Sequence, residues 1–128
     1  MNVVDSSAWL EYFADGPNAK QFAAAIEKTA KLLVPSLVVF EVFKRILQQR
    51  DEGAALQAVA LMQQARVIDL DGPLALSAAR LSVDARLPVA DSVILAVARA
   101  HDAVLWTQDA DFKGMRGVEY RGHRPGSS

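Results

Sequence analysis

Residues 2–13 read NVVDSSAWLEYF and pass directly from a strand pattern to a helix pattern. Residues 2–4 end in two β-branched valines, and polar residues follow them directly. This predicts a short buried strand that ends at Asp5. Residues 6–13 place Trp9 and Phe13 on one face of a helix. The stretch is therefore a strand followed at once by an amphipathic helix.

The same alternation of strands and helices continues along the chain. Further helices are predicted over residues 19–30, from an N-cap at Ser36 to residue 49, and over 52–65, 74–85 and 91–101. Further strands are predicted over residues 32–34, 67–70 and 103–106, with an edge strand over 117–120. Strands separated by helices favour a three-layer α/β fold with a short parallel sheet of four to five strands and about six to seven helices. We expect one domain over residues 1–120 and a flexible tail over 121–128.

Composition excludes several classes of protein. The chain has 128 residues, of which 52% are hydrophobic and 23% charged, and its formal net charge is −1. These values exclude a disordered chain and a uniformly basic nucleic-acid coat. The sequence has no cysteine and two histidines, so we expect neither a disulfide scaffold nor Cys-ligated zinc. No signal-peptide pattern and no membrane-length apolar run is visible, and we expect a cytoplasmic protein with no membrane partner.

Five carboxylates occupy positions where a parallel sheet places its ligands. Asp5 follows the first predicted strand, and Asp109 and Asp111 follow the fourth. Glu41 and Asp91 lie in helices whose neighbouring positions are apolar. Ligands of such folds bind outside the carboxyl ends of the strands. If these acids converge, they must be protonated, paired with Lys or Arg, or bound to a cation.

Each acid also has an ordinary structural explanation. Asp5 and Asp91 are of a type that caps helices. Glu41 could point outward and pair with Arg45 one turn later. The two acids after the fourth strand could be turn residues, because Asp favours turns. The joint arrangement favours a metal site instead. Oxygen ligands without His or Cys suit Mg²⁺ or Mn²⁺ better than zinc.

Four segments in order give the sequence a resemblance to a known family. These are VVDSS at residues 3–7, Glu41 within a helix, PVADSVI at 88–94 and WTQDADF at 106–112. In this order they resemble a PIN domain and, more narrowly, the VapC toxins of type II (VapBC) toxin–antitoxin pairs. The resemblance spans residues 2–120.

The resemblance implies a Mg²⁺- or Mn²⁺-dependent endoribonuclease that hydrolyses RNA phosphodiester bonds. Its acids map in order to Asp5, Glu41, Asp91 and Asp109, with Asp111 as a fifth acid nearby. Asp5, Asp91 and Asp109 would hold one ion, with Glu41 supporting it. A second ion, bound only with RNA, would share Asp5 or use Asp111. Either Asp109 or Asp111 would be the closer ligand.

Further residues and partners follow from the same resemblance. Ser6 and Thr107 would orient the carboxylates or a metal-bound water by hydrogen bonds. The family implies a homodimer and a cognate VapB-type antitoxin whose C-terminal segment occupies the active-site groove. Candidate contacts to RNA phosphate, each of which could equally be a solvated surface residue, are Lys44, Arg45, Lys113 and Arg116.

Three other functions compete with this one. A PIN-shaped module could bind RNA or antitoxin without catalysis, and a PIN nuclease could process RNA without an antitoxin. A receiver-type phosphoryl-transfer domain is disfavoured, because Asp5 is followed by Ser6 rather than by a second acid.

Overall fold

The computed structural model describes residues 1–124, which form a five-stranded sheet surrounded by helices. Its strands are β1 (Asn2–Val4), β2 (Leu32–Pro35), β3 (Arg66–Ile68), β4 (Val104–Thr107) and β5 (Val118–Tyr120). Its α-helices over this range are α1 (Ser6–Phe13), α2 (Ala19–Ile26), α3 (Ser36–Gln49), α4 (Glu52–Met62), α5 (Gly72–Ala85) and α6 (Val89–Ala100). Short 3-10 helices lie at Thr29–Lys31 and Ala110–Phe112. The predicted α/β fold, with its short parallel sheet, is confirmed.

The sheet has the strand order β3-β2-β1-β4-β5, and every pair in it is parallel. From β1 the chain moves outward to β2 and β3, then returns across the sheet to β4 on the other side of β1. Because parallel crossovers are right-handed, the outward path places α1–α4 on one face and the return path places α5 and α6 on the other. The order reverses between β1 and β4, which makes their carboxyl ends the expected ligand site.

The core fixes β1 and α6 against one another. Val3 and Val4 of β1 are fully buried, and seven successive residues of α6, 92–98, are buried as well. A helix that is buried on all sides must pack between other layers, and α6 contacts α5 on one side and β1 and β4 on the other. Burial of each large apolar side chain contributes about 1.5–3 kcal/mol, so the start of α6 is held firmly beside the end of β1.

Several element ends differ from the sequence predictions. The helix predicted over 19–30 ends at Ile26 and is followed by the 3-10 turn, and the helix predicted over 52–65 ends at Met62. Ser36 is the first helical residue rather than the N-cap, because Pro35 holds the extended cap conformation. In the same way Pro88 caps α6, which begins at Val89 rather than at Asp91. A proline at each of these positions sets the backbone before the helix begins.

The segment after β5 is joined to the body of the domain. The Arg121 amide donates to the Thr107 carbonyl at 2.9 Å, and the Gly122 carbonyl accepts from the Asn18 side chain at 2.9 Å. Of the tail predicted over 121–128, residues 125–128 lie outside the described residues. Across residues 1–124, each helix falls short of the length and apolar character that a bilayer crossing needs.

Candidate metal centre

Asp5 and Thr107 lie side by side at the carboxyl ends of β1 and β4. Val4 is paired with Trp106 in the parallel ladder, and the Asp5 amide donates to the Trp106 carbonyl at 3.1 Å. The next residues along the two strands are therefore neighbours at the point where the strand order reverses. This register brings residues from the two ends of the chain to one place.

The Asp5 carboxylate is 2% exposed and accepts three hydrogen bonds. Oδ1 accepts from the Ser7 hydroxyl at 2.7 Å and from the Ala8 amide at 3.0 Å, and Oδ2 accepts from the Thr107 hydroxyl at 2.5 Å. Burial raises the pKa of Asp5 to about 6, these bonds oppose the rise, and the charge of Asp109 adds to it. Asp5 is thus both the N-cap of α1 and part of the acidic site.

Thr107 and Ser7 connect Asp5 to the loop that follows β4. The Thr107 hydroxyl accepts from the Asp109 amide at 2.9 Å, and the Ser7 hydroxyl accepts from the Gln108 amide at 3.1 Å. Sequence reasoning selected Ser6 and missed Ser7. The signal available for Ser7 was its position two residues after a predicted helix cap, where a hydroxyl can reach back to the capping carboxylate.

Asp91, Asp109 and Asp111 bring one carboxylate oxygen each to within 4.8 Å of one another. Asp91 lies in the first turn of α6, and Asp109 caps the 3-10 helix by accepting from the Asp111 amide at 2.9 Å. Burial raises the pKa of Asp91 to about 7, with further contributions from the charge of Asp109, a hydrogen bond with Asp111 and the charges of Asp111 and Asp5. The helix-cap explanation for Asp91 is therefore wrong, because Pro88 holds that position.

Glu41 lies on α3 and faces the same cluster. Its pKa is raised by burial and by the charge of Asp109, and the nearby Ser6 side chain opposes the rise. Its Oε1 atom is buried and has no hydrogen-bond partner within residues 1–124. Over the same residues no ion pair joins Glu41 to Arg45. The outward-pointing explanation for Glu41 therefore does not describe this fold.

The site as a whole is an uncompensated group of carboxylates. In the described part of the chain, none of the five acids pairs with Lys or Arg, and the pKa values of Asp5, Glu41 and Asp91 are all raised. A buried, unpaired charge is costly, and either protons or a cation must relieve it. The donor set contains only oxygen, which fits Mg²⁺ or Mn²⁺. An orphaned buried oxygen on Glu41 is a further acceptor for a water at such an ion.

The four basic residues proposed as RNA contacts are all exposed. Lys113 follows the acidic loop, residues 108–112, and its Nζ atom lies 6.0 Å from the centre of the Tyr120 ring, at the end of β5. Lys44 lies on α3 three residues after Glu41 and 5.8 Å from the Phe40 ring centre. Both lysines therefore place their ammonium groups over exposed or partly exposed aromatic rings, in cation–π geometry, and remain accessible to solvent.

Comparisons with known proteins agree with this architecture. The model of the PIN domain family matches residues 3–118. A toxin–antitoxin complex from Klebsiella pneumoniae superposes with a TM-score of 0.77 at 22% identity, covering 93% of this chain and 96% of that chain. VapC20 from Mycobacterium tuberculosis, described as a toxin that cleaves the sarcin–ricin loop, gives a TM-score of 0.76 at 21% identity over 98% of this chain and 100% of that one.

A third structure, DNA-bound VapBC from Salmonella typhimurium, gives a TM-score of 0.72 at 14% identity, covering 95% of this chain and 98% of that chain. At these identities the likeness concerns the fold. A comparison with curated proteins gives no match.

Proposed function

This chain belongs to the PIN domain family, and from that premise we propose that it is a Mg²⁺- or Mn²⁺-dependent endoribonuclease that hydrolyses RNA phosphodiester bonds. The observation that supports this most directly is the carboxylate cluster. Three acids bring oxygens to within 4.8 Å of one another, and two of them, Asp91 and Asp109, interact with the charge of the buried Asp5. No cation of the described chain neutralises them. A folded protein tolerates such a group when it binds a divalent ion.

Asp5, Asp91 and Asp109 would hold the ion, with Asp111 as a fourth ligand or as part of a second site. When bound, the ion would supply positive charge beside the scissile phosphate and would lower the pKa of a bound water, so that this water gives up a proton more readily. The carboxylate of Asp5 is held in one orientation by the Thr107 and Ser7 hydroxyls. Fixed orientation of this kind raises metal affinity, because less order must be imposed on binding.

Glu41 would act on the attacking water rather than as the main ligand. Its Oε1 atom lacks a hydrogen-bond partner in the described residues, so it is free to accept one from a water. In its ionised form the carboxylate can accept a proton from that water. Glu41 would therefore orient the water and accept its proton.

RNA would approach across the exposed face of the acidic loop. Lys113 and Arg116 follow this loop, and Lys44 and Arg45 extend from the helix of Glu41. Exposed basic groups at these places would bind phosphates on either side of the scissile bond.

We further propose that the protein is the toxin of a VapBC-type pair. The structurally similar proteins include a toxin–antitoxin complex and a VapBC complex. The proposal includes a VapB-type antitoxin, a homodimer and a cytoplasmic location. It also includes a single catalytic domain over residues 1–120.

The test is RNA cleavage by purified protein with EDTA, Mg²⁺ or Mn²⁺, using mixed ribosomal and transfer RNA as the substrate. Asp5→Asn and Asp91→Asn should lose at least about 100-fold in rate. The matched control is Asp84→Asn, an exposed acid on α5. Calorimetric titration with Mn²⁺ should show binding to wild type and to Asp84→Asn, and none to Asp91→Asn.

Two results would contradict the proposal. Cleavage that is unchanged in EDTA, or retained by both site variants, would exclude metal-dependent catalysis by these acids. Mn²⁺ binding without any RNA cleavage would instead favour a PIN module that binds RNA or antitoxin without catalysis.

A further inference from the structure

We propose that Asn18 is a positioning residue that holds the acidic loop, residues 108–112, in the arrangement that binds the metal. This inference rests on the proposed metal site but concerns a residue outside it. Asn18 precedes α2, in the turn that follows α1, and belongs to none of the motifs that point to catalysis. In sequence it is an ordinary turn residue.

The Asn18 side chain joins three distant parts of the chain. The residue is 1% exposed, and its Nδ2 atom donates to Gln108 Oε1 at 2.7 Å and to the Gly122 carbonyl at 2.9 Å. Gln108 immediately precedes Asp109. A buried amide that uses both of its donors on partners about 100 residues away fixes their relative position.

We call the two hydrogen bonds from Asn18 Nδ2, to Gln108 and to Gly122, the Asn18 tie. The acidic loop needs this tie because the charges of the loop repel the carboxylate that they approach. Asp109 and Asp111 approach Asp91 closely, and like charges at this separation repel. The loop is short, and its other anchors are the hydroxyls of Ser7 and Thr107 and the buried ring of Phe112. Without a further anchor, repulsion favours moving the loop away from α6 while the metal is absent.

Asn18 is in turn held by a buried carboxylate. Glu11 of α1 is 8% exposed, and its Oε2 atom accepts a hydrogen bond from the backbone N–H of Asn18 at 2.8 Å. Gly16 lies against the same carboxylate so closely that a side chain there would overlap it. Glu11 therefore fixes the backbone of the turn, and Asn18 transmits this position to Gln108.

A neutral donor suits this task better than a charged one. A lysine or arginine at this buried position would carry a charge that must be removed from water. The side-chain amide of Asn18 supplies two hydrogen-bond donors and no charge.

The test compares two variants that break the tie, Asn18→Ala and Gln108→Ala (the tie variants), with wild type and with Ser82→Ala. Gln108→Ala removes one end of the tie at a less buried position, so it remains informative if Asn18→Ala does not fold. Ser82→Ala is the matched control, because it also removes one side-chain bond to a backbone carbonyl, that of Leu87 at 2.8 Å, away from the site. Each protein is titrated with Mn²⁺ by calorimetry, and amide hydrogen exchange of residues 108–112 is measured in EDTA.

We expect both tie variants to bind Mn²⁺ about 10- to 100-fold more weakly and to exchange the loop amides faster, while Ser82→Ala matches wild type. RNA cleavage by the tie variants should recover at saturating Mn²⁺, so that the loss lies in metal affinity rather than in kcat. A merely structural role would lower unfolding stability without this rescue.

The outcomes separate this inference from the proposed function. If wild type cleaves no RNA, the nuclease proposal fails, yet weaker Mn²⁺ binding by the tie variants still supports the role of Asn18. If wild type binds no Mn²⁺, or if both tie variants bind it within twofold of wild type, the role of Asn18 is overturned.

Discussion

The Thr107 hydroxyl lies 2.5 Å from Asp5 Oδ2 and joins two residues that are 102 positions apart in sequence. Both side chains are buried, and the same hydroxyl accepts from the Asp109 amide. One oxygen atom therefore connects the end of β1 with the loop after β4. The relationship makes the hydroxyl, rather than the bulk of Thr107, the feature on which the site depends.

Replacement of Thr107 by valine should weaken both the fold and metal binding. Thr107→Val keeps the shape but leaves Asp5 with one donor fewer and the Asp109 amide without its acceptor. We expect a loss of about 1–3 kcal/mol in unfolding free energy and a further rise in the pKa of Asp5. Denaturant unfolding and Mn²⁺ titration check this. Thr107→Ser, which keeps the hydroxyl, is the control, and equal behaviour of the two variants would show that the hydroxyl is not needed.

The titration of Asp5 and Asp91 should make the metal-free protein more stable to unfolding at pH 5 than at pH 8. The folded-state pKa values of Asp5 and Asp91 are about 6 and about 7, above the ordinary value of 3.8. The folded state then binds more protons than the unfolded state, so this stability is complete below pH 3.8 and is lost as the pH rises through about 6 and 7. For the buried Asp5, the free energy of unfolding that is lost as the pH rises is on the order of 3 kcal/mol.

This pH dependence is checked by unfolding in EDTA from pH 5 to pH 8. Asp91→Asn removes one of the repelling charges, so it should be more stable than wild type at pH 8 and should show a flatter profile. Asp84→Asn should follow the wild-type curve. A wild-type stability that rises from pH 5 to pH 8, with no change of slope in Asp91→Asn, would mean that the acids are not mutually repelling in solution.

Glu41→Gln should separate catalysis from metal binding. The amide keeps the shape of the side chain but cannot accept a proton from the attacking water. We expect kcat to fall about 10²- to 10⁴-fold, while Mn²⁺ affinity changes only a few-fold. Single-turnover cleavage at saturating Mn²⁺ measures the first quantity and calorimetry the second. Glu52→Gln, an exposed acid in the first turn of α4, is the control. A loss of Mn²⁺ affinity equal to the loss of kcat would make Glu41 a ligand instead.

Lys113→Ala and Arg116→Ala should weaken RNA binding without affecting the metal. Each removed phosphate contact should lower the slope of log affinity against log salt by about 1. RNA binding in Ca²⁺, measured at several salt concentrations, gives this slope. Arg66→Ala is the control, because Arg66 lies on β3 at the opposite edge of the sheet from β5. A slope unchanged in both variants would exclude these residues from the RNA path.

Local chemistry explains which boundaries could be predicted from the sequence. Strand β1 and helix α1 have their predicted bounds, because the switch from β-branched to amphipathic sequence is abrupt at Asp5. Helix α2 was predicted too long, because the alanines at 23–25 and 30 favour a helix over the whole stretch. The chain instead turns after Ile26 to enter β2 in register with β1. Helix α6 was predicted too short, because Pro88 rather than Asp91 is its cap.

The sequence by itself determined the parallel α/β architecture and singled out five acids as candidate metal ligands, because hydrophobic period and residue type are local properties. Only the tertiary structure decided that the Ser7 and Thr107 hydroxyls both serve Asp5 and that Asn18 reaches Gln108. These contacts depend on the register of β1 beside β4 and on the way α1 packs. Both are set by burial of the whole core, which no single stretch of residues encodes.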